Sequence, residues 1–159
     1  MDKQNDTNTS KIQTDIRVVT LSTLTDELLD RLMTIWLNAN LEAHDFVAPE
    51  YWRGAAPAVR EALPAATLTV AIVDGTVAGF AGVQDAYVAG LFVDKRYRNH
   101  GLGGRIMRAL QAEHPQLTLD VYERNVGAVR FYERAGFTIA AKTLDADTQQ
   151  VDYQMHWQA

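Results

Sequence analysis

The chain has no cysteine, and that one absence removes disulfides, thiolate metal sites and a cysteine nucleophile together. Any acyl transfer it performs therefore avoids a Cys-linked intermediate. No apolar run approaches the roughly 18 residues of a membrane span, and the polar N-terminus lacks a signal-peptide core. A soluble, cytoplasmic protein with no membrane partner is expected. An excess of positive charge is missing too: 15 Lys and Arg stand against 20 Asp and Glu, for a formal charge of −5. That balance argues against a general nucleic-acid surface. Neither an internal repeat nor a linker divides the 159 residues, which are one domain's worth and enough to bury a core without staples. Residues 1–14 carry Asn, Thr, Ser, Asp and Lys with almost nothing apolar, which predicts a disordered leader before a single domain at 15–159.

What positive charge there is clusters at residues 95, 96, 98, 105 and 108, around Gly101, Gly103 and Gly104. An apolar, strand-forming run ending at Val93 leads into this basic loop, and Leu102, Ile106, Ala109 and Leu110 then recur at helical spacing. The pattern is strand, anion-binding turn, helix. The first turn of a helix offers N–H groups without intrahelical partners and a partial positive charge, so phosphate oxygens are natural ligands. A P-loop is excluded, because Arg105-Ile106 follows Gly104 where Lys-Ser/Thr is required. A dinucleotide loop of the form GxGxxG finds Ile106 at its third glycine, although Asp120 lies at a suitable distance for a ribose-binding acid. That reading and an ordinary strand-to-helix turn both stay open on spacing alone.

The rest of the chain alternates strand and helix signals. Ile16 to Thr20 reads as a first strand, and Thr25 caps a helix whose stripe is Leu28, Leu32, Ile35, Trp36 and Ala39. A break at Leu41 to Phe46 precedes a second, kinked helix that Pro49 opens, that Gly54 and Pro57 interrupt, and that Pro64 stops. The aromatics Phe46, Tyr51 and Trp52 there either face a substrate or cover the core. Asp74-Gly75 joins strands Thr67 to Val73 and Thr76 to Val83, and a third strand, Tyr87 to Val93, feeds the glycine loop. Pro115 ends the next helix, and Leu117 to Tyr122 is a strand entered by a crossover, hence parallel to its predecessor. A short helix over Ala128, Val129, Phe131 and Tyr132 ends at Gly136, and Phe137 to Ala141 with Val151 to Trp157 closes as a hairpin.

Two motifs in order carry a family resemblance. Arg98-Asn99-His100-Gly101-Leu102-Gly103 fits the R/Q-x-x-G-x-G/A signature, and Asn125 to Phe137 fits N-x-x-A-x-x-F-Y-x-x-x-G-F; the chain thus resembles the GNAT superfamily of N-acetyltransferases. Only Asn99 departs from the commonest form, where glycine is frequent. The likeness is strongest from Val88 to Phe137; Ala43 to Phe46, Tyr51-Trp52 and Asp152 to Trp157 resemble a bacterial subgroup of uncharacterised members. The resemblance implies a mixed α/β fold: a central, mostly antiparallel sheet, helices on both faces, and a splayed parallel strand pair at the cofactor site. It also implies acetyl transfer from acetyl-CoA to a primary amine of a small molecule or peptide, by direct attack in a ternary complex. The alternative is a non-catalytic acetyl-CoA sensor. No metal is implied, and a homodimer is left open.

By that resemblance Leu91, Phe92 and Val93 pair with the pantetheine arm like an added strand, and the Val93 amide lies near the thioester carbonyl. Arg98, Asn99, His100, Gly101, Leu102, Gly103, Gly104 and Arg105 hold the pyrophosphate. Asn125 bonds to pantetheine and Tyr132 protonates the departing thiolate. For the general base, His44 has a suitable unperturbed pKa of about 6.5. Asp45, Tyr87, Glu123 and a water chain are its rivals. His100 reads as a loop donor, His114 as a helix-end cation and His156 as a solvent-facing strand residue.

Overall fold

The computed structural model describes residues 14–159, so all but the last residue of the expected leader lies outside it. In chain order the elements are β1 (Ile16–Thr20), α1 (Asp26–Ala43), α2 (Pro49–Ala62), β2 (Thr67–Val73), β3 (Thr76–Gln84), β4 (Tyr87–Val93), α3 (Leu102–Glu113), β5 (Gln116–Tyr122), α4 (Val126–Arg134), β6 (Thr138–Asp145) and β7 (Gln150–Gln158). The strands form one seven-stranded sheet in the order β1-β2-β3-β4-β5-β7-β6. Every neighbouring pair is antiparallel except β4 with β5. The mixed, mostly antiparallel sheet with helices on both faces is therefore the fold.

Alternation along β2 shows how the two faces are filled. Leu68 and Val70 join the cluster under α1 and α2 with Leu32, Ile35, Trp36 and Trp52. Ala71 and Val73 join the cluster under α3 and α4 with Leu102, Ile106, Met107, Leu110, Val129 and Tyr132. Thr25 accepts from the Leu28 N–H at 3.2 Å to start α1. The expected break at Leu41 comes late, since α1 runs to Ala43 and His44 is its C-terminal cap.

The expected kink of α2 is absent. The helix passes through Gly54 and Pro57 without interruption, and Leu63–Ala65 then makes a 3₁₀ turn carrying Pro64. Pro57 removes the donor for the Arg53 carbonyl, but Arg53, Gly54 and Pro57 all lie on the exposed face, where water replaces it. The opposite face is held by Trp52 packed edge-on to Trp36, their ring centroids 6.1 Å apart. Packing of an amphipathic face outweighs local propensity here.

Asp74 and Gly75 turn the β2–β3 hairpin with φ of 48° and 82°, the two left-handed residues of a type I′ turn. A second such turn, Asp85 and Ala86 at φ 51° and 64°, joins β3 to β4. Its alanine gave no turn signal in the sequence. The parallel contact it leads into is short: Tyr87 pairs with Thr118 and Val88 with Leu119, and no further pair follows. From Ala89 onward β4 and β5 diverge.

Candidate active site

The loop after β4 is anchored before it is open. Asp94 accepts from the Arg96 backbone at 2.9 Å and is clamped by the Arg96 and Arg31 guanidiniums at 2.9 and 2.7 Å. The Arg96 hydrogen bonds, then Arg31, hold its carboxyl well below the usual range. Arg31 also reaches the Val77 carbonyl at 3.0 and 2.8 Å, tying α1, β3 and the loop together. Beyond this anchor the backbone turns left-handed at Asn99 and at Gly101, with φ of 64° and 74°. His100 Nδ1 lies 2.8 Å from the Arg98 carbonyl and 3.2 Å from that of Tyr97. With two acceptors facing it, that nitrogen carries the proton and is the expected loop donor.

Gly101 starts α3 without any side-chain cap, and no acidic residue occupies the first turn. The N–H groups of Leu102, Gly103 and Gly104 are thus left for an anion. A Cβ on Gly103 would lie 3.4 Å from the Phe131 ring and 3.6 Å from Leu91, in the gap where a ligand must approach the backbone. Leu102 buries its side chain in the core and offers only its backbone, while Arg98 and Arg105 are exposed at the rim. Arg98 is paired with Glu42 of α1 at 2.7 Å.

The divergence of β4 from β5 supplies a second row of donors and acceptors. The Asp94 N–H donates back to Ala78 on β3, so strand alternation turns the main-chain groups of Val93 and Leu91 the other way, into the gap. An extended arm laid there meets an unpaired strand edge. A cavity of about 550 Å³ occupies the gap. Of the expected cofactor residues, Leu91, Phe92, Val93, Arg98, Asn99, Gly103 and Asn125 line it. Sequence reasoning missed Ala39, Asn40 and Ala43 of α1 and Gly127, Ala128 and Phe131 of α4, which complete its wall. For Ala39 and Ala43, four apart on α1, and for Gly127 and Ala128 the small side chains were the available signal. His100, Gly101, Leu102, Gly104, Arg105 and Tyr132 are not on this wall; Gly104 borders a neighbouring hollow with Arg108 and Phe131. These donors fit the pyrophosphate and pantetheine of acetyl-CoA.

At the inner end of the cavity two expected site residues meet. Asn125 caps α4, its Oδ1 accepting from the Ala128 N–H at 3.3 Å. That bond fixes the amide, so Nδ2 is the atom that faces His44 Nε2 at 3.1 Å. The amide donates, the ring accepts, and the imidazole proton sits on Nδ1, which is buried without a partner. The ring stacks on Trp52 with centroids 5.1 Å apart and meets Tyr122 edge-on at 5.0 Å. Burial pushes the His44 pKa down to about 4, the Asn40 backbone countering only in part. His44 is a neutral ring at neutral pH.

Behind this pair lies a second cavity of about 360 Å³. Asn40, His44, Phe92 and Asn125 line both cavities. Its farther wall is Tyr51, Trp52, Tyr87, Tyr122, Asp120 and Asp152. The Tyr87 phenol donates to Asp120 Oδ2 at 2.7 Å, and burial followed by that bond pushes its pKa up. Burial, then Asp145 and Asp120, pushes Asp152 up to about 6. Asp120 thus faces this second cavity rather than the glycine loop, which removes the ribose role that kept the dinucleotide reading open. Tyr132 packs between Phe131 and Phe137, and burial raises its phenol to about 12. Tyr132 is buried in the core under α4 and lines neither cavity.

The remaining candidates stand elsewhere. Asp45 is exposed and Glu123 is paired with Lys142 at 2.8 Å; neither lines the two cavities. His114 caps α3, its Nδ1 2.8 Å from the Leu110 carbonyl. His156 is half-buried in β7 instead of facing solvent, because β7 is an interior strand between β5 and β6.

Known proteins give the arrangement its relatives. The family described as the acetyltransferase (GNAT) family matches residues 26–137. Peptidyl-lysine N-acetyltransferase YiaC of Escherichia coli K12 is 33% identical over 131 residues, spanning 81% of this chain and 90% of that protein. Peptidyl-lysine N-acetyltransferase YjaB of the same organism is 31% identical over 115 residues, spanning 72% and 78%. The solution structure of apo YjaB superposes with a TM-score of 0.78 at 27% identity, over 90% of this chain and 97% of the other.

Proposed function

The chain belongs to the GNAT family of acetyltransferases, and from that premise we propose that it carries the acetyl group of acetyl-CoA to the ε-amino group of a lysine in a peptide or protein. One observation supports this reading above the others: a cleft built for an extended, phosphate-bearing cosubstrate meets an acidic, aromatic cavity across the shared residues Asn40, His44, Phe92 and Asn125. Two relatives are named peptidyl-lysine N-acetyltransferases, which points the acceptor side the same way.

The physical problem is protonation and placement. An alkyl ammonium with a pKa of about 10.4 is only about one part in 10³ neutral at pH 7, so the site must relieve it of a proton. Acetyl-CoA supplies an activated thioester; everything else is the work of this chain. The unpaired edge at Leu91 and Val93 orients the pantetheine arm, and the loop N–H groups from Arg98 to Gly104 hold the pyrophosphate. Fixing both reactants in one geometry is worth several orders of magnitude in rate. The Val93 N–H, turned away from β3, stabilises developing oxyanion charge in this reading. Asn125 positions the arm, and Tyr132 donates its proton to sulfur. Holding both substrates in adjoining cavities supports direct attack in a ternary complex.

The reading is tested by acetyl-CoA-dependent thiol release against lysine peptides, free amines and amino acids. Turnover with lysine peptides, with acetylation mapped to the side chain by mass spectrometry, is the expected result. Binding of acetyl-CoA with no turnover of any amine would refute it.

A further inference from the structure

We propose that Asp120 and Asp152 form the binding site for the acceptor's ammonium group, that Asp152 takes its proton, and that His44 is a positioning residue for Asn125. The proposal rests on the lysine-acetyltransferase reading and says which groups receive that substrate.

Strand register builds the site. β5 and β7 are antiparallel, with Asp120 opposite Gln154 and Tyr122 opposite Asp152. The period of two therefore puts Asp120, Tyr122 and Asp152 on one face, the face that opens into the inner cavity. Among the described residues, neither Asp120 nor Asp152 has a Lys or Arg within ion-pair distance. Two carboxylates in a cleft with no countercharge are stabilised by a cation from outside. The walls suit a lysine side chain: Tyr51, Trp52 and Tyr122 give apolar surface to its stem and π faces to its charged end. Trp52, 8% exposed, lends this wall its ring, while its indole N–H is buried beneath the surface and takes no part in holding a cation.

The two carboxylates divide the work. Asp120 Oδ2 is occupied by the Tyr87 phenol, which leaves its charge to hold the ammonium. Asp152 is free of that bond. It is faced by Asp120 and Tyr122 from β5, Asp145 from β6, Tyr51 from α2 and Tyr87 from β4, with His44 at the end of α1. Burial, and after it the like charges of Asp145 and Asp120, raise its proton affinity above that of an ordinary carboxylate, toward what a general base at neutral pH requires. His44 is unsuited to the task because Nε2 already accepts from the Asn125 amide, and protonation there would set two N–H groups against each other.

The step balances. One ammonium proton passes to the Asp152 carboxylate and on to solvent. The freed nitrogen pair forms the C–N bond while the C–S bond breaks, sulfur takes the Tyr132 proton, and the second nitrogen proton restores that phenol. The net release is one proton per turnover.

The experiment pairs binding with pH–rate profiles. With CoA present, calorimetry compares a lysine peptide with the same peptide carrying norleucine, which keeps the stem and lacks the charge. Wild type should prefer lysine by at least tenfold, and Asp152→Asn and Asp120→Asn should lose most of that preference. Turnover of the lysine peptide by Asp152→Asn should fall at least 100-fold at pH 7 and recover toward pH 9.5, where the amine begins to deprotonate unaided. His44→Ala should keep the wild-type acidic limb and raise the KM for acetyl-CoA. An unchanged acidic limb in Asp152→Asn, or its loss in His44→Ala, overturns the assignment of the base. Equal affinity of wild type for the two peptides overturns the ammonium site. If wild type turns over no lysine peptide, the proposed function fails, and the binding comparison still decides the ammonium site.

Discussion

Asp152→Asn should make the protein more stable, and only above about pH 5. The carboxyl is pushed up to about 6 by burial, Asp145 and Asp120, from an ordinary 3.8. A carboxyl whose folded pKa lies above its unfolded value destabilises the fold where it is ionised in both states. That cost is fully present above the folded pKa and disappears as pH falls toward the unfolded value. A shift of about two units corresponds to roughly 3 kcal/mol at most. Asp152 is only half-buried, and solvent screening reduces the figure to about 1 kcal/mol. For a domain of this size that is a Tm increase of about 2–4 °C. Asparagine keeps the shape and removes the charge. Thermal denaturation of wild type and variant at pH 4, 5, 6 and 7.5 should show the gap opening between pH 4 and 6 and then holding. His44, Tyr87 and the other shifted groups are common to both proteins, so they cancel to first order. A gap that is flat with pH, or a variant less stable at pH 7.5, would refute the electrostatic reasoning.

Gly103→Val should lower acetyl-CoA affinity by at least tenfold with the fold retained, since its side chain would enter the gap beside Phe131 and Leu91; calorimetry and circular dichroism on one sample check both halves. Tyr132→Phe should bind acetyl-CoA normally and lose about 10²–10⁴-fold in single-turnover acetyl transfer, and a rate equal to wild type would make Tyr132 a packing residue. Ala86→Gly should raise stability by about 0.5–1 kcal/mol, because a residue at φ 64° without glycine's freedom is strained, as denaturant unfolding would show.

What was legible in the sequence was local. The glycine loop and the Asp74-Gly75 hairpin each depend on residues within a few positions of one another, so spacing alone located them. The inner cavity was not legible in this way. Asp120 and Asp152 are brought together by register between β5 and β7, and nothing near either residue announces the other. From spacing alone Asp120 offers no more than a ribose-binding acid for the dinucleotide alternative. Tyr87 offers itself in the sequence only as a base, because its bond to Asp120 is likewise made across the sheet. The errors in α2 have the opposite origin: Gly54 and Pro57 are sound local breakers, overridden by a buried face that propensity does not see. The Asp85-Ala86 turn escaped notice because alanine is tolerated there only under the pull of the strands it joins.

The short contact between β4 and β5 divides the sheet into two plates, one of four strands and one of three, held along their seam by the pairs Tyr87–Thr118 and Val88–Leu119. Beyond those pairs the edge of the first plate at Leu91 and Val93 faces Asn125 of the second across the outer cavity. The inner cavity draws its walls from both plates, Tyr87 and Phe92 from one and Asp120, Tyr122 and Asp152 from the other, so two residue pairs at the seam fix how wide it stands.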